Sequence, residues 1–466
     1  MKNISHIHLI GIGGSSMGGI AEILFKKNFT ITGSDIISNN ITKKLSNLGI
    51  KIFSTHQKKN IQNANLIVVS SAIQPNNPEI IAANNSKIPI MLRAELISKI
   101  IYSKYNIIIA GTHGKTSTTA MIFNIFEENK LYPTLINGGY VKSINNNVKI
   151  GKNPFYCILE ADESDASFLY FTPNISVITN IDKDHIEKYK KNFNNLKSAF
   201  IKFIHNLPIN GTAILCLDDN TIQSIIPHIK RKIITYGFNK NADLRINNYQ
   251  QKKFTSTFIV IRKNKPILKI NLNAPGKFNA LNATASIAVA IQEHISDKII
   301  LKSLKNFQGV NRRFESHGVF KIPLKLHKQG KFLLINDYGH HPTEILESIH
   351  TARTGWPNKK LIMIFQPHRY TRTKTFKKEF SHVLSNVDEL FLLQVYPANE
   401  LESYGSNSFS LYKEIKKNKN ISATLIIDLN TLFKKVTSKL SGNDLILAQG
   451  AGNIDDIIEK FIIQKL

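Results

Sequence analysis

Apolar and polar positions along the chain fall into two kinds of run. Short, nearly continuous apolar stretches recur at His6–Ile10, Leu66–Ser70, Ile107–Ala110, Tyr156–Leu159, Ile175–Thr179, Leu333–Ile335, Leu361–Phe365 and Leu445–Ala448. Stretches with helical spacing lie between them, as at Thr119–Phe126. Uninterrupted apolar strands separated by helices predict parallel sheets covered on both faces, an α/β architecture. No short-period repeat and no low-complexity tract breaks the pattern.

A chain of 466 residues is too long for one core, because single cores stop growing near roughly 250–300 residues. Three blocks emerge. Residues 1–104 open on a glycine-rich turn, and residues 105–309 open on a second one that ends in Lys and Thr. Residues 310–466 begin near Asn311-Arg312-Arg313 and carry a further series of strands and helices. The reading is three α/β domains: a Rossmann-like N-terminal domain, a central P-loop parallel-sheet domain and a Rossmann-like C-terminal domain. Ligands of open α/β sheets bind beyond the carboxyl ends of strands, so chemistry-bearing residues should follow strands. They do.

The strongest motif is Gly111-Thr112-His113-Gly114-Lys115-Thr116-Ser117, after the strand at Ile107–Ala110 and before the helical run at Thr119–Phe126. Strand, Gly-rich loop, Lys-Thr and helix form a phosphate cradle. Backbone N–H groups and the helix N-terminus face the phosphates, the Lys reaches the β/γ oxygens and the Thr hydroxyl takes Mg²⁺. The loop is shorter than the eight-residue P-loop, since Ile109 stands where its first Gly would be. A second turn, Gly11-Ile12-Gly13-Gly14-Ser15-Ser16-Met17-Gly18-Gly19, follows the first strand, with Asp35 at about the distance of a ribose-binding acid. Ser16 occupies its third fingerprint position, so the turn reads as a diphosphate site without naming the nucleotide.

Glu160-Ala161-Asp162-Glu163-Ser164-Asp165 closes the strand at Tyr156–Leu159. Acids at a strand end in the P-loop block point to Mg²⁺ coordination. His185 lies just past the strand at Ile175–Thr179 and is a candidate second metal ligand. In the last block, Asp337-Tyr338-Gly339-His340-His341-Pro342-Thr343-Glu344 follows one strand, and Gln366-Pro367-His368-Arg369-Tyr370-Thr371-Arg372 follows the next. Two strand ends carrying His and Arg make a candidate anion or carboxylate site.

Composition narrows the partners. Lys and Arg number 61 against 33 Asp and Glu, a net charge of +28. The basic residues are scattered, and Lys, Asn and Ile are abundant together, as a coding bias would produce. The reading is therefore no nucleic-acid interface but an affinity for polyanionic small molecules such as nucleotides. No apolar run reaches the ~18 residues of a membrane span, and Ser5, His6 and His8 interrupt the first stretch as they would not in a signal peptide. Cys157 and Cys216 sit in apolar strand-like runs and read as buried reduced thiols. The expected setting is cytoplasmic, with no membrane partner.

Together these motifs resemble the Mur ligase family over essentially the whole chain and in the family's order. The segments GIGGSSMGGIAEIL, GTHGKTSTTAM, NGGYVKS, EADESDASF, DYGHHPTE and FQPHRYTRT look like the branch that adds L-alanine to UDP-N-acetylmuramate. The resemblance implies an ATP-dependent ligase of peptidoglycan precursor synthesis, working through an acyl phosphate. Gly111 to Ser117 would bind ATP, with Lys115 on the transferred phosphoryl group, and Thr116, Glu160 and His185 would hold Mg²⁺. The turn containing Gly11, Gly13, Gly14 and Ser15, with Asp35, would take the UDP diphosphate, so that domain would bind no NAD. Asn279 and Asn282 match the family's adenine-side segment, and Arg313 and Asp337 would reach the nucleotide. His341, Arg369 and Arg372 would face alanine and the acyl group. The oligomeric state implied is monomer or homodimer. Phe278 stands where the branch usually has His, and Asn311 where Gly precedes the paired arginines. Phe200 occupies the position of the modified lysine of other members, so no carbamylated lysine is expected.

Three other readings compete. A ligase adding a preformed peptide to the same nucleotide sugar would share both glycine turns and differ in its amino-acid pocket. An NAD-dependent oxidoreductase leaves the P-loop and the strand-end acids without a role. A nucleic-acid-dependent NTPase would need a reader motif, and the sequence shows none.

Overall fold

The computed structural model describes residues 4–153, 155–184, 186–263, 265–322, 330–417 and 421–463. It divides into two compact units, one spanning Met1–Asn247, Ile259–Ile270 and Leu281–Gln308, the other Asn248–Phe258, Asn271–Ala280 and Gly309–Leu466. Among the described residues, three sheets of five, ten and six strands form.

The first sheet comprises β1 (His6–Ile10), β2 (Thr30–Ser34), β3 (Lys51–Phe53), β4 (Leu66–Val69) and β5 (Ile90–Leu92) in the order β3-β2-β1-β4-β5. All its pairings are parallel. Helices α1 (Ser15–Lys26), α2 (Asn40–Asn47), α3 (Pro78–Asn85) and α4 (Arg93–Ile101) complete the layer. β1 is buried from Ile7 to Ile10 and sits where the strand order reverses. That is the switch point at which a ligand crevice opens in such sheets.

The second sheet is centred on β6 (Tyr105–Ala110), followed by α5 (Lys115–Glu128), β7 (Thr134–Val141), β8 (Asn146–Lys149), β9 (Tyr156–Glu160) and β10 (Ile175–Ile178). After α6 (Phe193–His205) come β11 (Thr212–Cys216), α7 (Asn220–Ile225), β12 (Lys232–Gly237), β13 (Leu244–Lys252), β14 (Thr255–Arg262) and β15 (Lys265–Leu272). Helices α8 (Lys277–Gln292) and α9 (Asp297–Lys305) follow. The order β15-β14-β13-β12-β11-β10-β6-β9-β7-β8 puts β6 between β10 and β9. The loop after β6 is thus flanked by the ends of both neighbours.

The alternating outer strands differ from the continuous apolar runs that mark the sheet centres. β14 buries every second residue, Ser256, Phe258, Val260 and Arg262, and leaves those between them exposed or half-buried. One face of this strand is core and the other faces solvent.

The third sheet comprises β16 (Glu315–Lys321), β17 (Lys331–Asp337), β18 (Lys360–Phe365), β19 (Glu389–Leu392), β20 (Ser422–Leu425) and β21 (Asn443–Gln449), ordered β16-β17-β21-β18-β19-β20. β16 is antiparallel to β17, and the remaining pairings are parallel. Helices α10 (Pro342–Gly355), α11 (Tyr370–Thr375), α12 (Lys377–Leu384), α13 (Ser408–Ile415), α14 (Leu432–Ser438) and α15 (Ile454–Ile463) surround it. Two apolar clusters cover its faces, one around Ile335, Met363 and Leu447, the other around Leu334, Ile364 and Ile446. Alternate residues of the same strands supply the two clusters, so both faces are core.

Candidate active-site residues

The loop after β6 turns into α5 through Gly114, whose φ of 82° lies in the left-handed region. A residue with a Cβ is strained there, and the Asn282 side chain fills the space that a Cβ would need. Asn282 therefore packs directly on the loop. His113 is fixed from β10: its N–H donates to Asn180 Oδ1 (2.8 Å), and its carbonyl accepts from the Thr179 hydroxyl (2.6 Å) and Asn180 Nδ2 (3.0 Å). The His113 ring lies 3.4 Å from Asp182. Asp182 N–H donates to the Thr112 hydroxyl (2.9 Å). The loop's shape is therefore set before any phosphate meets it.

Lys115 Nζ reaches the carbonyl of Thr112 (3.0 Å) and Glu163 Oε2 (2.8 Å). Burial disfavours its charge, but Glu163, Asp162 and Glu160 together hold the ammonium above its ordinary value. The carboxylates respond unequally. Burial opposes ionisation of Asp162, yet Lys115 and the Ser164 bonds keep its pKa below the ordinary value. Burial pushes Glu163 up to about 7 against the pull of Lys115. Two acids thus compete for one ammonium, and Glu163 retains the proton more readily.

The Thr116 hydroxyl donates to Glu160 Oε1 (2.8 Å), and Glu160 Oε2 accepts from Gly138 N–H (2.6 Å). A carboxylate and a hydroxyl presented together at the P-loop are hard oxygen donors of the kind that Mg²⁺ prefers. His185 lies outside the described residues. Phe200 is buried, its ring 5.1 Å from that of Phe168.

In the first sheet, Gly11, Gly13, Gly14 and Ser15 form the turn between β1 and α1. Gly11 N–H and Ile12 N–H both donate to the Ser34 carbonyl (2.8 and 3.2 Å). Asp35 accepts from Gly13 N–H through Oδ2 and from Ile37 N–H through Oδ1 (each 2.9 Å). Both of its oxygens hold backbone, so in this structure the residue shapes the turn. Ser15 Oγ donates to the Gly138 carbonyl (2.8 Å), which ties this turn to the second sheet.

In the other unit, Asp337 is buried at the end of β17 and accepts from Phe314 N–H (2.7 Å), Gly339 N–H (2.8 Å), Gln449 Nε2 (2.9 Å) and the Ser348 hydroxyl (3.3 Å). Burial raises its pKa, and Arg313 opposes that rise. The Arg313 guanidinium lies 5.1 Å from the Tyr338 ring centroid and 3.9 Å from Glu344. Glu344 caps α10 by accepting from His340 N–H (2.9 Å) and His341 N–H (3.2 Å). The buried His341 ring packs edge-on against Phe376 at 4.7 Å. Arg369 precedes α11 as its N-cap with a φ of 70°, and the buried Arg372 points back at His368 (3.4 Å). His368 stacks on Tyr396. Asn279 donates to the Pro275 carbonyl (2.7 Å), and the Phe278 ring covers Gly276. Sequence reasoning did not single out Glu163 or Gly138 as site residues. The acid run and the Gly138-Gly139 pair were the available signals.

These three sheets and two glycine turns define the chain's class: it belongs to the Mur ligase family. It matches the "Mur ligase family, catalytic domain" over residues 6–105, the "Mur ligase middle domain" over 109–290 and the "Mur ligase, glutamate ligase domain" over 324–452. It is 66% identical over 466 residues to the UDP-N-acetylmuramate–L-alanine ligase of Buchnera aphidicola subsp. Baizongia pistaciae (strain Bp), covering 100% of this chain and 96% of that protein. The ligase of the same name from Buchnera aphidicola subsp. Acyrthosiphon pisum (strain Tuc7) is 52% identical over 464 residues, covering 100% and 96%. Among solved structures, the UDP-N-acetylmuramate-alanine ligase of Thermotoga maritima superposes with a TM-score of 0.84 at 28% identity, covering 98% of each chain.

Proposed function

We propose that this enzyme uses ATP to join L-alanine to the carboxylate of UDP-N-acetylmuramate, a step of peptidoglycan precursor synthesis. The observation that carries the reading is the full-length 66% identity to a ligase of that name, on a chain that keeps Lys115, Thr116 and Glu160 assembled at the P-loop. A carboxylate is a poor electrophile, so it must be activated. Its oxygen attacks the γ-phosphorus of ATP, ADP leaves, and an acyl phosphate forms. The neutral amine of L-alanine then adds to the acyl carbon, and inorganic phosphate departs as the amide forms and the amine loses its proton.

Phosphoryl transfer of this kind needs alignment and charge neutralisation more than covalent help. Lys115 supplies a cation whose charge its acidic neighbours favour. Gly111, Thr112, His113, Gly114 and Ser117 are proposed to wrap the phosphates at the start of α5. Mg²⁺ fits the oxygen set of Thr116 and Glu160, with His185 as a further proposed ligand, and would neutralise phosphate charge. Gly11, Gly13, Gly14, Ser15 and Asp35 are proposed to form the UDP-substrate site at the start of α1. Asn279, Asn282, Arg313 and Asp337 are proposed on the ATP side, and His341, Arg369 and Arg372 on the alanine and acyl side. Residues 1–104, 105–309 and 310–466 are proposed as the three functional domains.

Among the described residues, no helix is long and apolar enough to cross a membrane. Both cysteines are free and buried, which suits the proposed cytoplasmic setting. Mass spectrometry of a reaction with ATP, Mg²⁺, UDP-N-acetylmuramate and L-alanine should show the amide-linked product. Hydrolysis of ATP without that product would contradict the reading.

A further inference from the structure

Four hydrogen bonds run in series from the first glycine turn to the P-loop. Asn147 Nδ2 donates to the Ser15 hydroxyl oxygen (3.2 Å). That hydroxyl donates to the Gly138 carbonyl (2.8 Å). Gly138 N–H donates to Glu160 Oε2 (2.6 Å), and Thr116 donates to the other Glu160 oxygen (2.8 Å). The series crosses 123 residues of sequence between Ser15 and Gly138.

Gly138 is the pivot. A Cβ there would lie 2.7 Å from Glu160 Oε2, so the carboxylate rests directly on the glycine. Glycine also turns about its φ and ψ with little steric cost. Its N–H and C=O lie in the two peptide planes that meet at its Cα, and each is held by a different nucleotide-binding element, so the two bonds together restrain φ and ψ of this one residue.

The rest of this seam is already clamped. The Val148 side chain fills the space beside Gly19. Farther along α1, Glu22 accepts from Lys26 (2.6 Å), Lys44 (2.7 Å) and Asn146 (3.2 Å). Lys44 also donates to Asn146 Oδ1 (2.9 Å). Ser15 is therefore not needed to dock α1 on β8. Its hydroxyl instead joins Gly138 to the turn.

We propose that Ser15 is a positioning residue that couples the two nucleotide sites through Gly138, an inference that rests on the two-site reading above. A ligand at the P-loop that draws on Glu160 competes for the acceptor of Gly138 N–H. A ligand at the first turn that draws on the Ser15 hydroxyl removes the donor to the Gly138 carbonyl. Each event frees Gly138 to turn, so the second ligand meets a pivot already released. Such coupling is reciprocal: each ligand tightens the other by the same factor.

The test is isothermal titration calorimetry of UDP-N-acetylmuramate, with and without saturating Mg²⁺ and a non-hydrolysable ATP analogue. The quantity read is the ratio of the two dissociation constants. The full-length wild-type chain should show a ratio above one. Ser15→Ala should cut that ratio by about two- to tenfold, the worth of one net hydrogen bond, and Asn147→Ala should cut it in the same direction. Ser15→Thr, which keeps the hydroxyl, should restore it. Any direct contact that Ser15 makes with the sugar nucleotide changes both constants and cancels from the ratio. A wild-type ratio of one overturns the proposal, as does an unchanged ratio in Ser15→Ala or loss in both Ala and Thr variants. Failure of either ligand to bind the wild type overturns the two-site reading itself.

Discussion

Lys115 Nζ lies 2.8 Å from Glu163 Oε2, so the P-loop cation is held by an acid three residues beyond Glu160. Lys115→Ala should lower turnover at least about 10²- to 10³-fold, the scale seen when one preorganised charge-stabilising group is removed. The fold should survive, because Glu163 already holds its proton readily and is neutral once the ammonium is gone. Steady-state phosphate release and circular dichroism on the same preparation check both halves. Near-normal turnover would remove Lys115 from the reaction.

Glu163 itself should report a pH dependence. Its carboxyl is pushed up to about 7 in the folded protein from an ordinary 4.5. Between those values the folded state binds more protons than the unfolded state, so this group's contribution to stability falls as pH rises. Gln cannot ionise and escapes the loss. The melting temperature of Glu163→Gln relative to wild type should therefore climb from pH 5 to pH 8. A difference that stays flat or falls would mean that Glu163 is ionised throughout.

Thr116 and Glu160 meet at 2.8 Å, and a shared cation would pull on both. Glu160→Ala and His185→Ala should each need at least about tenfold more Mg²⁺ for half-maximal activity, the usual scale for losing a group that orders a metal site. Mn²⁺ binding followed by electron paramagnetic resonance, with ATP present, should weaken in parallel. Unchanged titrations in both variants would return these residues to structural roles.

How much of this was legible depended on sequence distance. The strand, loop and helix around Lys115 are contiguous, so residues 107–126 carried their own signal. The acid run after β9 was visible, but its division of labour was not. Which of Glu160, Asp162 and Glu163 meets Lys115 depends on a turn that Asp162 caps through Ser164 N–H (2.8 Å). Asp35 adds a second case. Its spacing pointed to the first glycine turn, but that spacing did not show that its oxygens also hold the N–H groups of Gly13 and Ile37. Asp337 likewise gathers Phe314, Ser348 and Gln449 from three other segments besides its near neighbour Gly339, a convergence that only the folded sheet creates. The outer strands β13 to β15 carry no continuous apolar run, because their signal is alternation.

The most direct test of the whole account is phosphate release from ATP across a matrix of UDP-sugars and amino acids, with and without nucleic acid. Release should require UDP-N-acetylmuramate and L-alanine together, with omission of either leaving only background. Nucleic acid should add nothing. Equal release with either substrate omitted, or stimulation by DNA or RNA, would contradict the assignment of this chain as the alanine-adding ligase.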